Sequence, residues 1–358
     1  MTRQPIGTPF TCEEVTLDHA ISAIGAYIAV VNDPPWSDLV DGLEPPRAVV
    51  EAGNMDLVHL DSIHDRLAGS GTLSDVTVVG IGGGTALDTA KYLAWRAHLP
   101  LVQAPTITSV DAGFTDAIGV RVDGKVRYVG HIVPERVILD VDIIASAPKR
   151  LNRAGIGDIL SCHTGLHDWR AATDAGVGHP WDDDLARLAD TLLRGLDASI
   201  VDIAQANPTG IRFVADAYRQ IGAACAAAGH SRFEEGSEHF WAYAYEHATG
   251  AHHVHGELIA FATVALAHVQ HNDPAFAHRI VSSSGVVAHP ADLDIDHAVY
   301  VETLLGLRDY ARAEGLDVGV ADLCTITRSM AEESWEFASS LPRRTTPATG
   351  PTTGPAIT

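Results

Sequence analysis

The amino-acid sequence predicts a two-domain fold: an α/β domain with a mostly parallel sheet over residues 1–150, followed by an all-α domain over residues 151–342. Before Pro148, short β-branched runs alternate with segments of helical spacing, which is the pattern of a doubly wound parallel sheet. From about Leu151 to Ser339, apolar residues recur at helical spacing and almost no strand signal remains. The Thr-, Pro- and Gly-rich end, residues 343–358, predicts a disordered tail.

The first domain begins with Phe10 to Ile24, for which we expect a short strand and a helix. Further strands are predicted where β-branched and apolar residues cluster over a few positions: Ala26–Val31, Ala48–Val50, a run beginning at Val76, Leu101–Val102 and Val137–Leu139. The segment Asp56–Leu67 carries apolar residues three or four positions apart, which predicts a helix. Asp123-Gly124 lies between two apolar stretches and predicts a hairpin turn.

The second domain is predicted to be helical throughout. Its candidate helices are Asp158–Ala172, Asp183–Asn207, Thr209–Ala228, Ser237–His247, His255–His268, Asp296–Glu314 and Val320–Phe337. The boundary near residue 150 leaves a cleft between the two domains, and ligands tend to bind in such clefts.

Composition and charge exclude several classes of function. The net charge of −22 argues against nucleic acid or an anionic membrane surface as a partner. No apolar run reaches the ~18–20 residues of a membrane span, and the N-terminus lacks the basic and apolar regions of a signal peptide. The four cysteines are scattered without a C-x-x-C pair, which favours a reducing, cytoplasmic location.

A glycine-rich turn joins the strand at Val76 to a helical segment. Gly82, Gly83, Gly84 and Thr85 lie at this junction, where glycine allows the backbone to approach a ligand closely. The N-terminus of the following helix would present free N–H groups to an anion, and a diphosphate fits that environment. The alternative is a tight turn without a ligand. A nucleotide triphosphatase is not indicated, because no lysine follows the glycines as in a Walker motif.

Histidines are concentrated in the second domain. Most of the 19 lie beyond residue 150, and the tightest cluster is His239, His247, His252, His253 and His255. Three protein ligands and one open position make the usual catalytic zinc site, so this cluster is a candidate metal site. A second candidate is the pair His163 and His167, one helical turn apart. The alternative is that most of these histidines are surface or capping residues.

The run from Gly82 to Lys91 resembles the GGG-x-x-x-D-x-x-K motif of a nicotinamide-dependent superfamily. This superfamily contains glycerol dehydrogenases, iron-dependent alcohol dehydrogenases, sn-glycerol-1-phosphate dehydrogenases and dehydroquinate synthases. The resemblance implies a dehydroquinate synthase-like fold whose first domain binds a dinucleotide through Gly82, Gly83, Gly84, Thr85 and Asp88. The stretch Ala154–Arg170 looks like the glycerol-1-phosphate dehydrogenase branch, whereas the PTI-x-S-x-DA stretch from Pro105 reads equally like glycerol dehydrogenase.

The same resemblance implies one divalent metal ion. Asp158 matches the metal-ligating aspartate of the family's AG-x-GD motif, and His255 matches the ligand of its HGE motif. His239 falls in the segment that supplies the other histidine. The implied ligands are therefore Asp158, His239 and His255, with zinc expected ahead of nickel or iron.

The loop after Pro105 resembles the family's PT-x-x-S-x-D motif. By that match, Thr106 and Ser109 contact the dinucleotide, Asp111 lies near the nicotinamide and the substrate hydroxyl, and Thr115 lies near the nicotinamide end. Asp111 could instead cap the next turn, where aspartate is favoured.

Asn32 and Asp33 follow an early strand and are placed to meet the adenine ribose. A carboxylate there would accept a hydrogen bond from a free 2′-hydroxyl and repel a 2′-phosphate. Asp33 therefore favours NAD(H) over NADP(H).

The predicted function is a metal- and NAD(P)-dependent dehydrogenase that interconverts a small polyol or polyol phosphate with its carbonyl form, and we expect a homo-oligomer. A substrate phosphate would have to lie near an arginine, for which the candidates are Arg153, Arg170 and Arg232. One alternative is a cyclase of the dehydroquinate synthase type that uses NAD only transiently, although residues 111–116 contain no lysine for a phosphate. Another alternative is a non-catalytic member that binds nucleotide.

Overall fold

The computed structural model describes residues 10–344. Six strands of the first domain form one sheet in the order β1-β8-β5-β4-β2-β3, and every pairing in this sheet is parallel. A separate antiparallel hairpin contains β6 and β7. The strands are β1 Thr11–Glu14, β2 Tyr27–Val31, β3 Ala48–Glu51, β4 Thr77–Gly82, β5 Leu101–Pro105, β6 Ala117–Val122, β7 Lys125–His131 and β8 Arg136–Leu139. The predicted parallel α/β domain is confirmed.

Helices cover the sheet and complete the α/β domain. They are α1 Leu17–Ser22, α2 Trp36–Leu39, α3 Leu57–Gly69, α4 Gly84–Ala97 and α5 Val141–Ser146. The helix α3 begins where the sequence predicts, because the Asp56 side chain accepts a hydrogen bond from the Val58 N–H at 3.2 Å. Chain connections leave β2 and β4 in opposite directions along the sheet. The crevice between their carboxyl ends is therefore a topological switch point, where open α/β sheets bind ligands.

The hairpin β6–β7 turns at Asp123-Gly124, as predicted. Both residues have positive φ angles, 51° and 74°, which is the backbone of a type I′ turn. The hairpin projects from the sheet and contacts the helical domain, where Arg121 pairs with Glu246 at 2.5 Å. Lys125 pairs with Glu314 at 2.7 Å on the same side. The hairpin thus bridges the two domains.

The second domain is helical, in agreement with the prediction. Its helices are α6 Lys149–Ala154, α7 Ile156–Leu160, α8 Cys162–Asp174, α9 Asp183–Ala198, α10 Ile200–Gln205, α11 Pro208–Ala228, α12 Ser237–Thr249, α13 His255–Val269, α14 Pro274–Ser284, α15 His297–Leu305, α16 Leu307–Glu314, α17 Val320–Leu323 and α18 Arg328–Ala338. Several predicted long helices are broken into two, for example at Ser199 and Gly306. The helix α14 was not predicted, although Asp273 caps it and Pro274 opens it.

The helix α13 lies at the centre of the second domain. Its residues from Gly256 to Ala267 are buried on all sides, as expected of a helix that is apolar around its whole circumference. It packs against α7, α12, α14 and α18. Its N-terminal residue, His255, is thereby held at a defined place beside α7 and α12.

The last described residues lie against the helical domain. Arg343 pairs with Asp292 at 2.6 Å, and Arg344 donates to the Ser282 carbonyl at 2.6 Å. These are the first two residues of the predicted tail; the others lie outside the described residues, so disorder there stays a prediction. Among residues 10–344, no helix combines the length and the apolar character needed to cross a membrane.

Candidate active site

A cavity of about 1240 Å³ lies between the carboxyl edge of the sheet, the hairpin and the helical domain. Its lining includes the glycine turn, the loop after β5, the segment between α11 and α12, and the start of α13. The three predicted metal ligands and all the predicted cofactor residues except Gly82 and Asp33 therefore face one continuous space.

Asn32 holds the glycine turn in place. Its Oδ1 accepts a hydrogen bond from the Gly83 N–H at 2.9 Å, and its Nδ2 donates to Thr85 Oγ1 at 2.9 Å. Gly82 has φ of 156°, and a Cβ there would lie 2.5 Å from Asn32 Oδ1. Only glycine suits this position, because the end of β2 approaches the turn so closely. The turn is pre-formed by contacts within the chain.

Gly83 and Gly84 open α4 and line the cavity. Their space is also limited by the protein, since a Cβ at Gly83 would lie 2.8 Å from Ile107 Cδ1 and one at Gly84 would lie 2.8 Å from Val110 Cγ1. Close packing against the loop after β5 therefore explains part of the glycine requirement. The first N–H groups of α4 have no partners within the helix and remain suited to an anion.

Asp88 and Lys91 of the glycine motif form an ion pair on α4. The Lys91 Nζ lies 2.7 Å from Asp88 Oδ1 and donates to the Ala117 carbonyl at 2.5 Å. Lys91 is only 1% exposed, so its charge is largely committed to these partners. The pair ties α4 to the start of the hairpin, and Asp88 lines the cavity beside the turn.

The loop after β5 carries the other predicted cofactor residues. The Thr106 N–H donates to the Gly82 carbonyl at 3.0 Å, which joins this loop to the glycine turn. Thr106 and Ser109 are buried and line the cavity, and Thr115 lines it further along. All three predicted residues are thus at the cavity wall.

Asp111 contacts the predicted metal site through its backbone. Its N–H donates to Asp158 Oδ2 at 3.1 Å. Burial and the charge of Asp158 raise the pKa of the Asp111 carboxyl to about 7. The short turn Asp111–Gly113 has Val110 rather than Asp111 at its N-cap position and receives no side-chain capping hydrogen bond there, so the capping interpretation finds no support.

Asp158, His239 and His255 come together from α7, α12 and α13. One ligand atom from each lies within 4.8 Å of the other two, and His255 Nε2 is 3.3 Å from Asp158 Oδ1. Asp158 is 2% exposed, and its Oδ1 has no hydrogen-bond partner. A buried carboxylate oxygen facing two imidazoles is a suitable donor set for Zn²⁺, and also for iron or nickel.

The charges of the two histidines keep Asp158 ionised. Burial opposes ionisation, but the electrostatic attraction of His255, whose Nε2 lies 3.3 Å from Oδ1, and that of His239 outweigh it and lower the pKa of Asp158. His163, the alternative ligand, is remote from this cluster: its Nε2 lies 2.6 Å from the Asn272 carbonyl, and its ring packs on Phe276.

Glu238 is a functional candidate that the sequence analysis missed. It is fully buried, and its Oε1 lies 2.9 Å from His239 Nδ1 and accepts from the Gly236 N–H at 2.6 Å. A carboxylate at Nδ1 keeps the proton there and leaves Nε2 free to bind a metal. The position directly before a candidate histidine ligand was the available signal.

A second missed group lines the cavity near the metal cluster: Glu234, Glu235, Tyr243 and Tyr128. Glu235 Oε1 accepts from the Tyr243 hydroxyl at 2.7 Å, and the hydroxyls of Tyr243 and Tyr128 are 3.1 Å apart. The Tyr243 ring lies 6.0 Å from that of His239. Burial and the charge of Asp111 raise the pKa of Glu234 well above its ordinary value.

Other predicted residues lie elsewhere. Asp33 binds the Ser37 N–H at 3.0 Å and hydroxyl at 2.7 Å and is outside the cavity lining, whereas Asp38 is within it. The ribose contact of Asp33 therefore stays a prediction.

The three arginines considered for a substrate phosphate also lie outside the described lining. Arg153 donates to the Ala204 carbonyl at 2.7 Å and Arg232 to the Val318 carbonyl at 2.7 Å, while Arg170 is exposed and pairs with Asp174 at 3.3 Å. The structure therefore gives no support to a phosphate contact from these three arginines, and that contact stays a prediction.

Comparison with known proteins identifies relatives. A family profile described as iron-containing alcohol dehydrogenase matches residues 46–148. The glycerol-1-phosphate dehydrogenase [NAD(P)+] of Pyrobaculum arsenaticum is 31% identical over 233 residues, which is 63% of this chain and 68% of that protein. Its counterpart from Hyperthermus butylicus is 30% identical over 227 residues, 63% of this chain and 65% of that protein.

Solved structures share the fold. A probable glycerol dehydrogenase from Sinorhizobium meliloti 1021 superposes with a TM-score of 0.71, over 93% of this chain and 96% of that one. At 20% sequence identity, this likeness concerns the fold alone. The curated match is partial, because the chain spans just under two thirds of the Hyperthermus butylicus protein, 65% of its length.

Proposed function

Because this chain belongs to the iron-containing alcohol dehydrogenase superfamily, in its glycerol-1-phosphate dehydrogenase branch, we propose that it is a metal- and NAD(P)-dependent dehydrogenase. It interconverts a small polyol or polyol phosphate with the corresponding carbonyl compound. The observation that carries the proposal is the cluster of Asp158, His239 and His255 in the same cavity as the glycine turn.

The glycine turn and the loop after β5 would hold the dinucleotide. The pre-formed turn offers first-turn N–H groups of α4 to the diphosphate, and Thr106 and Ser109 offer hydroxyl groups from the facing loop. The nicotinamide carries the hydride, so the protein's task is to position it and to exclude water. If the nicotinamide ring lies toward Asp111, it would be close to the reacting carbon of the substrate, with which it exchanges the hydride.

Asp158, His239 and His255 would hold one divalent metal, with zinc expected first. When bound, such an ion acts as a Lewis acid that lowers the pKa of a hydroxyl and polarises a carbonyl. Asp111 would accept the hydrogen bond of a substrate hydroxyl and so orient the reacting carbon. Glu238 would keep His239 in the tautomer that ligates.

The cyclase alternative has less support. Cyclases of this fold resemble the chain in general architecture, but residues 111–116 lack the expected lysine. A non-catalytic role is also disfavoured, since a nucleotide-binding scaffold has no use for a buried carboxylate oxygen that faces two histidines without a hydrogen-bond partner.

The test is a dehydrogenase screen of the metal-stripped chain reloaded with zinc, nickel or iron. Glycerol, glycerol phosphate, dihydroxyacetone, dihydroxyacetone phosphate and small aldehydes are offered with either cofactor. We expect one nicotinamide to be reduced or oxidised per substrate converted, and we expect His255→Ala to lose both metal and turnover. The matched control, His163→Ala, should keep both. Conversion of substrate without net change in the nicotinamide would instead identify a cyclase.

A further inference from the structure

We propose that the reacting end of the cavity selects an uncharged polyhydroxy substrate and disfavours a phosphate monoester. This inference rests on the proposed dehydrogenase function and specifies its substrate class. It sets the chain apart from the relatives that are named for a phosphorylated glycerol.

Carboxylates dominate the cavity wall around the metal cluster. Asp111, Asp158, Glu234 and Glu235 all line it. The carboxylate of Glu235 is held by neutral donors, the Tyr243 hydroxyl at 2.7 Å and the Ser231 hydroxyl at 2.6 Å. Because hydroxyl groups supply no positive charge, the negative charge of Glu235 is positioned but not neutralised.

The lysine and arginine side chains of the cavity wall are already paired. Within residues 10–344, the lysine and arginine side chains of the lining are Lys91 and Arg121. Lys91 is bound to Asp88 at 2.7 Å, and Arg121 is bound to Glu246 at 2.5 Å. Either cation could receive a phosphate only by leaving a carboxylate unpaired in a poorly solvated place.

Charge balance then separates the two substrate classes. A phosphate monoester carries about −1.5 to −2 charges at neutral pH, since its second pKa is about 6. The two charges of a divalent metal would be offset by Asp158 and Glu235, so a phosphate would enter without an unpaired lysine or arginine to receive it. An uncharged polyol meets no such repulsion, and its hydroxyls can donate to Glu235 and exchange hydrogen bonds with Tyr243 and Tyr128.

Matched substrate pairs test the inference in the zinc-loaded enzyme. Dihydroxyacetone is compared with dihydroxyacetone phosphate during NADH oxidation, and glycerol with both glycerol phosphate enantiomers during NAD⁺ reduction. We expect kcat/KM to be at least about tenfold higher for the unphosphorylated member of each pair. Binding of dihydroxyacetone phosphate to the enzyme–NADH complex, followed by calorimetry, should be correspondingly weak.

Glu235→Gln then removes the charge while keeping the shape of the side chain and its bond from Tyr243. We expect the ratio of kcat/KM for the phosphorylated to the unphosphorylated substrate to rise at least about threefold. Glu302→Gln is the control, because Glu302 is an exposed carboxylate paired with Arg328 on the outer surface, and its ratio should not change.

The outcomes distinguish the inference from the proposed function. A wild-type preference for the phosphorylated substrates refutes the inference and leaves the dehydrogenase function intact. An unchanged ratio in Glu235→Gln also refutes it, since the acidic wall would then not govern the choice. If no substrate of either class changes the nicotinamide in the metal-loaded enzyme, the proposed function fails, and the inference fails with it.

Discussion

Replacing Glu238 with alanine should weaken metal binding at His239. Glu238 Oε1 lies 2.9 Å from His239 Nδ1, and the side chain is fully buried, so water cannot take its place without a cavity. Removing such a supporting carboxylate typically costs about 10–100-fold in metal affinity. We therefore expect the metal dissociation constant of Glu238→Ala to rise by that factor, or about 1.4–2.7 kcal/mol.

The measurement must separate two effects of Glu238 on metal binding: it orients the His239 ring, and it raises the pKa of His239, so that protons compete with the metal. Burial lowers the pKa of His239, but the hydrogen bond that His239 donates to Glu238 and the nearby carboxylate charges outweigh it and raise this pKa to about 9. His239 is therefore protonated at neutral pH without metal, and the affinity of the wild type should rise with pH until about 9. Losing Glu238 lowers this pKa and reduces proton competition, which opposes the loss of orientation. At a pH of about 9.5 the imidazole is neutral in most molecules, and the orientation effect dominates.

The assay is a titration of the metal-stripped chain with chelator-buffered zinc or cobalt. Glu238→Gln retains an acceptor oxygen for His239, so its affinity should fall less than that of the alanine variant. Tyr300→Phe is a control for lost stability, because it removes a buried hydrogen bond to Ser334 of 2.7 Å elsewhere in the helical domain. It should lower the melting temperature without changing metal affinity. If Glu238→Ala loses stability but keeps its metal affinity, Glu238 serves only to close the first turn of α12 with Gly236.

Three further changes test other parts of the site. Asn32→Ala removes the acceptor that holds the glycine turn and should raise the NADH dissociation constant about tenfold in a fluorescence titration, whereas the exposed surface variant Glu302→Gln should leave it unchanged; equal effects would refute this assignment. Asp111→Asn should lower kcat/KM about 10–150-fold and Asp111→Ala further, at nearly constant melting temperature. A capping role instead requires a lower melting temperature with kcat/KM nearly unchanged. Glu246 has its pKa lowered to about 2, because its bonds to His253 and Arg121 outweigh burial. At pH values above about 4.5, the ordinary pKa of a glutamate, ionised Glu246 stabilises the folded state by on the order of 3 kcal/mol. This stabilisation is lost as the pH falls toward 2. Denaturant unfolding of Glu246→Gln should therefore show lower stability at pH 7 and convergence with the wild type near pH 2, and a constant difference across that range would contradict the assignment.

Local chemistry made much of the first domain predictable. The turn at Asp123-Gly124 follows from residues that tolerate positive φ, and α3 begins at Asp56 because that side chain caps it. Helix breaks at Ser199 and Gly306 escaped prediction, since apolar spacing continues across them and only tertiary packing decides whether a helix bends or stops.

The sequence motifs predicted the three metal ligands, but the residues that support them could be identified only from the structure. Asp158 is far from His239 and His255 in the chain, and the three meet because α13 is buried on all sides and packs against both α7 and α12. Glu235 carries no local pattern that separates it from ordinary helix-flanking acids, and the signal for Glu238 is only its position directly before His239. Their roles depend on side-chain direction, which spacing alone does not determine.

The cleft expected near residue 150 is bridged by the hairpin rather than open between two independent domains. Arg121 on β6 reaches Glu246 on α12, the helix that carries His239. Lys125 on the same hairpin reaches Glu314 on α16. Since α4 is tied to the start of β6 through Lys91, the cofactor turn and the metal-binding helix are linked through one short element. The relative position of the glycine turn and of the helix that carries His239 is therefore fixed in part by the contacts of the hairpin with both domains.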